Sequence, residues 1–175
     1  MIDEQLYYIV RGIGINKGVN ILKFKRGKFD IILNGLCLII LVSTILFLAV
    51  TWSKIPDKVP MHYDFAGNID RWGSKLEILI LPVIAWIIYV FMTILEKFPE
   101  AWNTGVKVTE ENKERVYSTL LHLISTIKFI MVCMFAYLTV QTSLAFQLPA
   151  WFTPIFMLAI FGDLLYWIWK LYRVK

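Results

Sequence analysis

One polar stretch, IPDKVPMHYDFAGNIDRWGSK at residues 55–75, gathers the side chains that chemistry uses: His62, Asp64 and Asp70, with Asp57 nearby. An imidazole beside carboxylates could hold a divalent metal or move a proton. In an extended arm, His62 and Asp64 point to the same side, which suits a shared ligand. One histidine among aspartates is still far from a metal-ligand spacing. The plainer reading is that these groups bond to local backbone and hold a small folded unit. The chain has no HExxH, no serine or cysteine nucleophile motif and no phosphate-binding glycine loop. The glycines of RGIGINKG, at residues 11–18, lack a strand–turn–helix setting. A non-enzymatic role without a cofactor is therefore the leading expectation.

A second pair of ionisable residues, Lys128 and Asp163, lies within apolar sequence. Such groups cost roughly 2.5–3.5 kcal/mol or more each in hydrocarbon and usually find partners. If the last two helices form a hairpin about Leu148, Asp163 lies opposite residue 133, and a lysine stem reaches much of the way from Lys128. The functional reading is a proton or ion relay. The structural one is an ion pair that pins helices, or a lysine snorkelling to the inner surface, and it is preferred. Asn34 and His122 could join the same polar layer.

The elements that position these groups follow from composition. The chain of 175 residues is 58% hydrophobic and only 18% charged, which is too apolar for an ordinary soluble domain. Residues 31–52 and 78–95 carry no charge, and none occurs between Lys128 and Asp163. A bilayer core of roughly 30 Å needs about 20 apolar residues in a helix. The third run is too long for one span, and Pro149 should break it. The spacing thus predicts an all-α membrane protein with four spans, near 29–52, 76–96, 118–147 and 151–171. Residues 1–28 form a basic cytoplasmic segment and residues 29–175 the transmembrane domain. A soluble bundle would need polar faces that residues 36–50 do not offer. The first run exceeds a signal-peptide core of about 7–15 residues and reads as a retained anchor. Cys37 and Cys133 fall inside spans and read as packing residues.

Lysine and arginine set the orientation. In a four-span arrangement thirteen of them fall on one side, in the N-terminal segment, the middle loop and the tail. Lys54, Lys58, Arg71 and Lys75 fall on the other. Both termini are then cytoplasmic, in a multi-pass protein of a prokaryotic cell membrane. The net charge of +5 reflects this bias and gives no reason to expect nucleic-acid binding. The basic residues of 17–28 suit a segment lying on anionic lipid. In the middle loop, Thr109 before Glu110 and Glu111 marks a helix start. The third helix should begin in the cytosol and run ~55 Å from residue 110.

The outer loop, residues 53–75, is longer than a helical hairpin needs. Apolar and polar residues alternate through it. Pro56 and Pro60 stiffen its first arm, and AGN at 66–68 is a turn signal. An ordered hairpin on the outer membrane face is expected.

This loop resembles the signature of a bacterial and archaeal membrane family of largely unknown function, related to the SdpI-type immunity proteins. The matching residues are Pro56, Pro60, His62, Gly67, Asp70, Trp72 and Lys75, with Tyr63 where phenylalanine is common. FPEAWNTGVKVTEENKERVY, at residues 98–117, resembles the cytoplasmic loop of short members. The resemblance covers roughly residues 30–130 and implies a helical membrane protein. In the immunity branch it implies protection against a secreted toxic peptide and signalling through a repressor held at the membrane. This chain is shorter and has no counterpart of that branch's additional C-terminal helices.

Two functions follow as expectations. In the first, the loop residues Pro56, Pro60, His62, Tyr63, Gly67, Asp70, Trp72 and Lys75 bind a membrane-active peptide or a lipid, with a cytoplasmic protein as a further partner. In the second, His62, Asp64 and Asp70, or Asp163, serve a metal-dependent enzyme or an ion-coupled carrier. Four spans are few for a carrier, so that version calls for a homo-oligomer.

Overall fold

The computed structural model describes residues 26–175. The basic segment expected on the lipid surface lies outside the described residues up to Lys25. Four helices carry most of the described chain: α1 (Lys28–Thr51), α2 (Ile80–Leu95), α3 (Lys113–Ser143) and α4 (Phe152–Val174). Each is long and apolar enough to cross a membrane, the second with the 3₁₀ turn Lys75–Leu79 included. Between α1 and α2 stand two antiparallel strands, β1 (Lys58–Tyr63) and β2 (Ile69–Ser74).

Local chemistry sets the boundaries. At the start of α1 the Asp30 carboxylate accepts from the Gly27 backbone N–H at 3.2 Å, an acid in the first turn where the helix dipole favours one. After Thr51 a 3₁₀ turn, Trp52–Lys54, ends the helix ahead of Pro56. Ser74 and Glu77 form a capping box before the second span, with Ser74 N donating to Glu77 at 2.7 Å. Pro82 sits in the first turn of α2, where its missing N–H goes unneeded. Thr109 and Asn112 bond reciprocally ahead of α3, so the helix begins three residues later than the sequence implied, at Lys113.

The helix α3 is the hub. It packs on α1, α2 and α4, whereas α1 and α2 meet only lightly. Three apolar clusters run along the bundle. Val116, Leu120 and Leu171 lie at one end, Cys37, Leu41, Ala85, Tyr89 and Val132 in the middle, and Leu48, Ile55, Val59 and Ile78 beneath the strands. The outward faces stay apolar: Ile39, Val50, Leu158 and Leu165 are all more than 60% or so exposed. Such a surface suits lipid and would be costly in water.

The pairing of α3 with α4 corrects the sequence reading. Tyr137 stacks on Phe152 with ring centroids 4.9 Å apart, and Thr126 bonds to Asp163. The two contacts are eleven residues apart on each helix, so one register explains both. Asp163 therefore faces residue 126 and not residue 133. The connection is no tight turn at Leu148. Residues 144–151 fold back along α3, and α4 starts about 9 Å below the end of α3, six residues down. Ion pairing between Lys128 and Asp163 does not occur. Residues 126 and 128 are roughly 200° apart around the helix, so one faces α4 and the other faces α1 and α2.

Candidate functional site

The hairpin is held by two buried residues of its first strand and by its turn, and its pairing is irregular around His62. Val59 and Pro60 are buried, and Val59 packs against Leu48, Ile55 and Ile78. At the tip, Asp64 accepts from the Asn68 backbone N–H at 2.8 Å and from its side-chain amide at 2.9 Å. Those bonds hold the Asp64 carboxyl below its ordinary 3.8, the side-chain bond from Asn68 contributing most. Gly67 takes φ +90°, where a side chain is disfavoured.

The tip is docked on the bundle. Leu148 N donates to Gly67 O at 2.9 Å, across the connection between α3 and α4. The Tyr63 hydroxyl donates to Phe146 O at 3.2 Å and lies 3.4 Å from Thr142 Oγ1. Burial pushes the Tyr63 phenol above its ordinary value, so it remains a donor through the neutral range. Lys75 sits over the Trp52 ring at 4.8 Å.

The loop residues singled out from sequence thus divide into two sets. Pro60, Tyr63, Gly67 and Lys75 fix the hairpin to the helices. His62, Asp70 and Trp72 are exposed, with Phe65 beside the turn and Pro56 at the entry. His62 Nδ1 lies 2.6 Å from Asp70 Oδ1, across the strands. Asp64 is engaged by Asn68 and does not join them. Among the described residues, no three His, Cys, Asp or Glu side chains gather as a metal-holding group. Phe65, 74% exposed, is the hairpin's most exposed apolar side chain, and Trp72 is 52% exposed.

Far from the hairpin, a polar layer crosses the bundle. Lys128 is fully buried. Its ammonium donates to Glu96 Oε1 at 2.5 Å, to Asn34 Oδ1 at 2.6 Å and to Thr93 Oγ1 at 3.2 Å. Glu96 also accepts from Ser125 at 3.2 Å and faces Arg26 at 2.9 Å, although the Arg26 approach lacks hydrogen-bond geometry. Asp30, buried in the first turn of α1, pairs with His122 Nδ1 at 2.7 Å. Asp163 stands apart, accepting from Thr126 Oγ1 at 2.9 Å and Trp167 Nε1 at 3.0 Å. Asn34 and His122 take part as expected from sequence. Glu96, Asp30 and Arg26 were missed because each borders an apolar run and reads as loop or flank.

Residues 39–86, from the middle of α1 through the hairpin into α2, match a family described as a domain of unknown function, DUF1648. An uncharacterized protein of Archaeoglobus fulgidus is 38% identical over 52 residues, which are 30% of this chain and 28% of that protein. The match thus spans under a third of the relative's length. No solved structure matches the chain. The matched segment contains the whole hairpin and omits the polar layer's Asn34, Glu96 and Lys128.

The turn has a pH signature. The depressed Asp64 carboxyl contributes stability that is fully present above its unfolded value, near 3.8. That contribution is lost as the pH falls through its lower folded value. Acidification below pH 4 should loosen the tip, and Asp64→Asn should remove the dependence. Amide exchange at Asn68, followed from pH 6 to pH 3, reads this directly.

Proposed function

We propose that this is a non-enzymatic integral membrane protein whose hairpin faces outward and captures a membrane-active peptide or a lipid. The observation that carries the reading is that the hairpin is anchored and yet presents exposed aromatic side chains. Pro60, Tyr63 and Gly67 hold it onto the helices, while Phe65 and Trp72 stay exposed. A rigid aromatic platform loses little entropy on binding, and aromatic anchors carry much of the affinity at such surfaces. The lysine and arginine asymmetry supports the outward orientation, with both termini cytoplasmic. The resemblance of Pro56, Pro60, His62, Gly67, Asp70, Trp72 and Lys75 to the SdpI-type signature supports an immunity or signalling role.

The test is a double replacement, Phe65→Ala with Trp72→Ala, at positions too exposed to disturb the fold. Cells carrying it should become as sensitive to a panel of membrane-active peptides as cells lacking the gene. Equal resistance in all three strains would count against the reading.

A second reading, an ion-coupled carrier, draws support from the buried charges of the polar layer and from Asp163. It requires that Asp163→Asn abolish uptake while the protein still folds. Uptake unaffected by that change would remove it.

A further inference from the structure

At the end of the bundle opposite the hairpin, an open cavity of about 350 Å³ is lined by Lys107, Thr109, Glu111, Asn112, Arg115 and Lys175. Among the described residues, Lys107, Arg115 and Lys175 form no ion pair. Three basic side chains thus line one opening, with Glu111 the one acidic side chain among them. The wall is fixed in place. Buried Asn112 bonds to Thr109 N at 2.7 Å and to Lys107 O at 3.0 Å. Val106 and Val108 pack on the cluster of Val116, Leu120 and Leu171. The register of α3 with α4, continued from Thr126 and Asp163, carries Val174 opposite Arg115 and so delivers Lys175 to the rim.

The depth of this cavity follows from the helices. The Asp30–His122 contact sets the start of α1 level with residue 122 of α3. From there to Ser143 the rise is ~32 Å, close to a hydrocarbon core. Along α4 the exposed apolar face runs to Tyr172, which the same register places opposite residue 117. The hydrocarbon thus ends between the levels of residues 117 and 122. Arg115 lies ~3–10 Å beyond it, in the headgroup layer. Trp169 and Tyr172 are exposed beside it, with Arg173 and Lys175 over their rings at 4.8 Å and 5.5 Å.

We propose that this cavity binds the phosphate of an anionic phospholipid headgroup. Arg115 presents a planar donor pair suited to phosphate oxygens, and Lys107 and Lys175 add charge. Glu111 at the same opening repels highly charged anions and leaves a phosphodiester the better fit.

The experiment uses the whole protein in a zwitterionic detergent. It is titrated separately with dioleoylphosphatidylglycerol, dioleoylphosphatidylcholine and inorganic phosphate, and bound adducts are counted by native mass spectrometry. The phosphatidylglycerol adduct should bind at least about tenfold more tightly than the phosphatidylcholine adduct. The double variant K107Q/R115Q should erase that preference, and Lys54→Gln, at the hairpin end, should leave it intact. Glu111→Gln should strengthen it, an outcome that a misfolded variant could not produce. Inorganic phosphate binding that K107Q/R115Q abolishes, without lipid preference, would keep the phosphate site and assign it a soluble ligand. An unaltered phosphatidylglycerol preference in K107Q/R115Q, or no response to Glu111→Gln, would overturn the proposal.

Discussion

Replacing Glu96 by glutamine is expected to destabilise the bundle by ~3–5 kcal/mol, the cost of leaving a buried charge without its counter-ion. Lys128 is fully buried, and its other partners, Asn34 and Thr93, are neutral. The mirror change, Lys128→Met, should cost less. It leaves Glu96 facing Arg26, which is 31% exposed and still within 2.9 Å. The asymmetry comes from that second cation. Combining the two changes should recover much of the loss, because a paired charge and an apolar replacement are often close in stability. Unfolding by denaturant in detergent, run as a double-mutant cycle, measures all three. Strict additivity would show that Lys128 and Glu96 are not one unit, and equal losses for the two single variants would remove the role given to Arg26.

Replacing Gly67 by alanine is expected to unlatch the hairpin. A Cβ there meets two obstacles. The backbone sits at φ +90°, and the new carbon would lie in severe overlap with Leu148 O. That oxygen belongs to backbone and cannot swing aside. Left-handed backbone alone costs roughly 1–2 kcal/mol, and the overlap adds to it, so the tip should lose at least ~2 kcal/mol. Gly105 is the control. It also has positive φ, at 61°, but a Cβ there meets nothing within 4 Å. Gly105→Ala should therefore cost only the backbone part. Hydrogen exchange at the Leu148 amide, which donates to Gly67, separates the two. It should quicken in Gly67→Ala and stay slow in Gly105→Ala.

Much of this architecture is legible in the sequence because hydrocarbon is a severe solvent. It demands long uncharged helices, and residues 31–52 and 78–95 advertise two of them without ambiguity. Pro149 divides the remainder correctly. The hairpin is legible for a different reason. The alternation of apolar and polar residues in the sequence and the AGN turn are local signals that need no distant partner. What sequence could not supply is register between helices. The offset of α4 against α3 is set by residues 144–151 folding back to meet Gly67, a contact between segments 81 residues apart. Without it, Asp163 is assigned to the wrong neighbour. The partner of Lys128 was hidden similarly. Glu96 reads as the first loop residue after an apolar run, and only the three-helix packing reveals that it is buried.

The proposed function requires that the hairpin stand at the external lipid boundary and the α2–α3 connection on the opposite side. Cysteine accessibility in intact cells tests it most directly, with Lys58→Cys and Lys107→Cys made separately in a chain whose Cys37 and Cys133 are replaced by alanine. A membrane-impermeant maleimide should label position 58 in whole cells and position 107 only after lysis. Labelling of position 107 in whole cells, with position 58 protected until lysis, would contradict the claim.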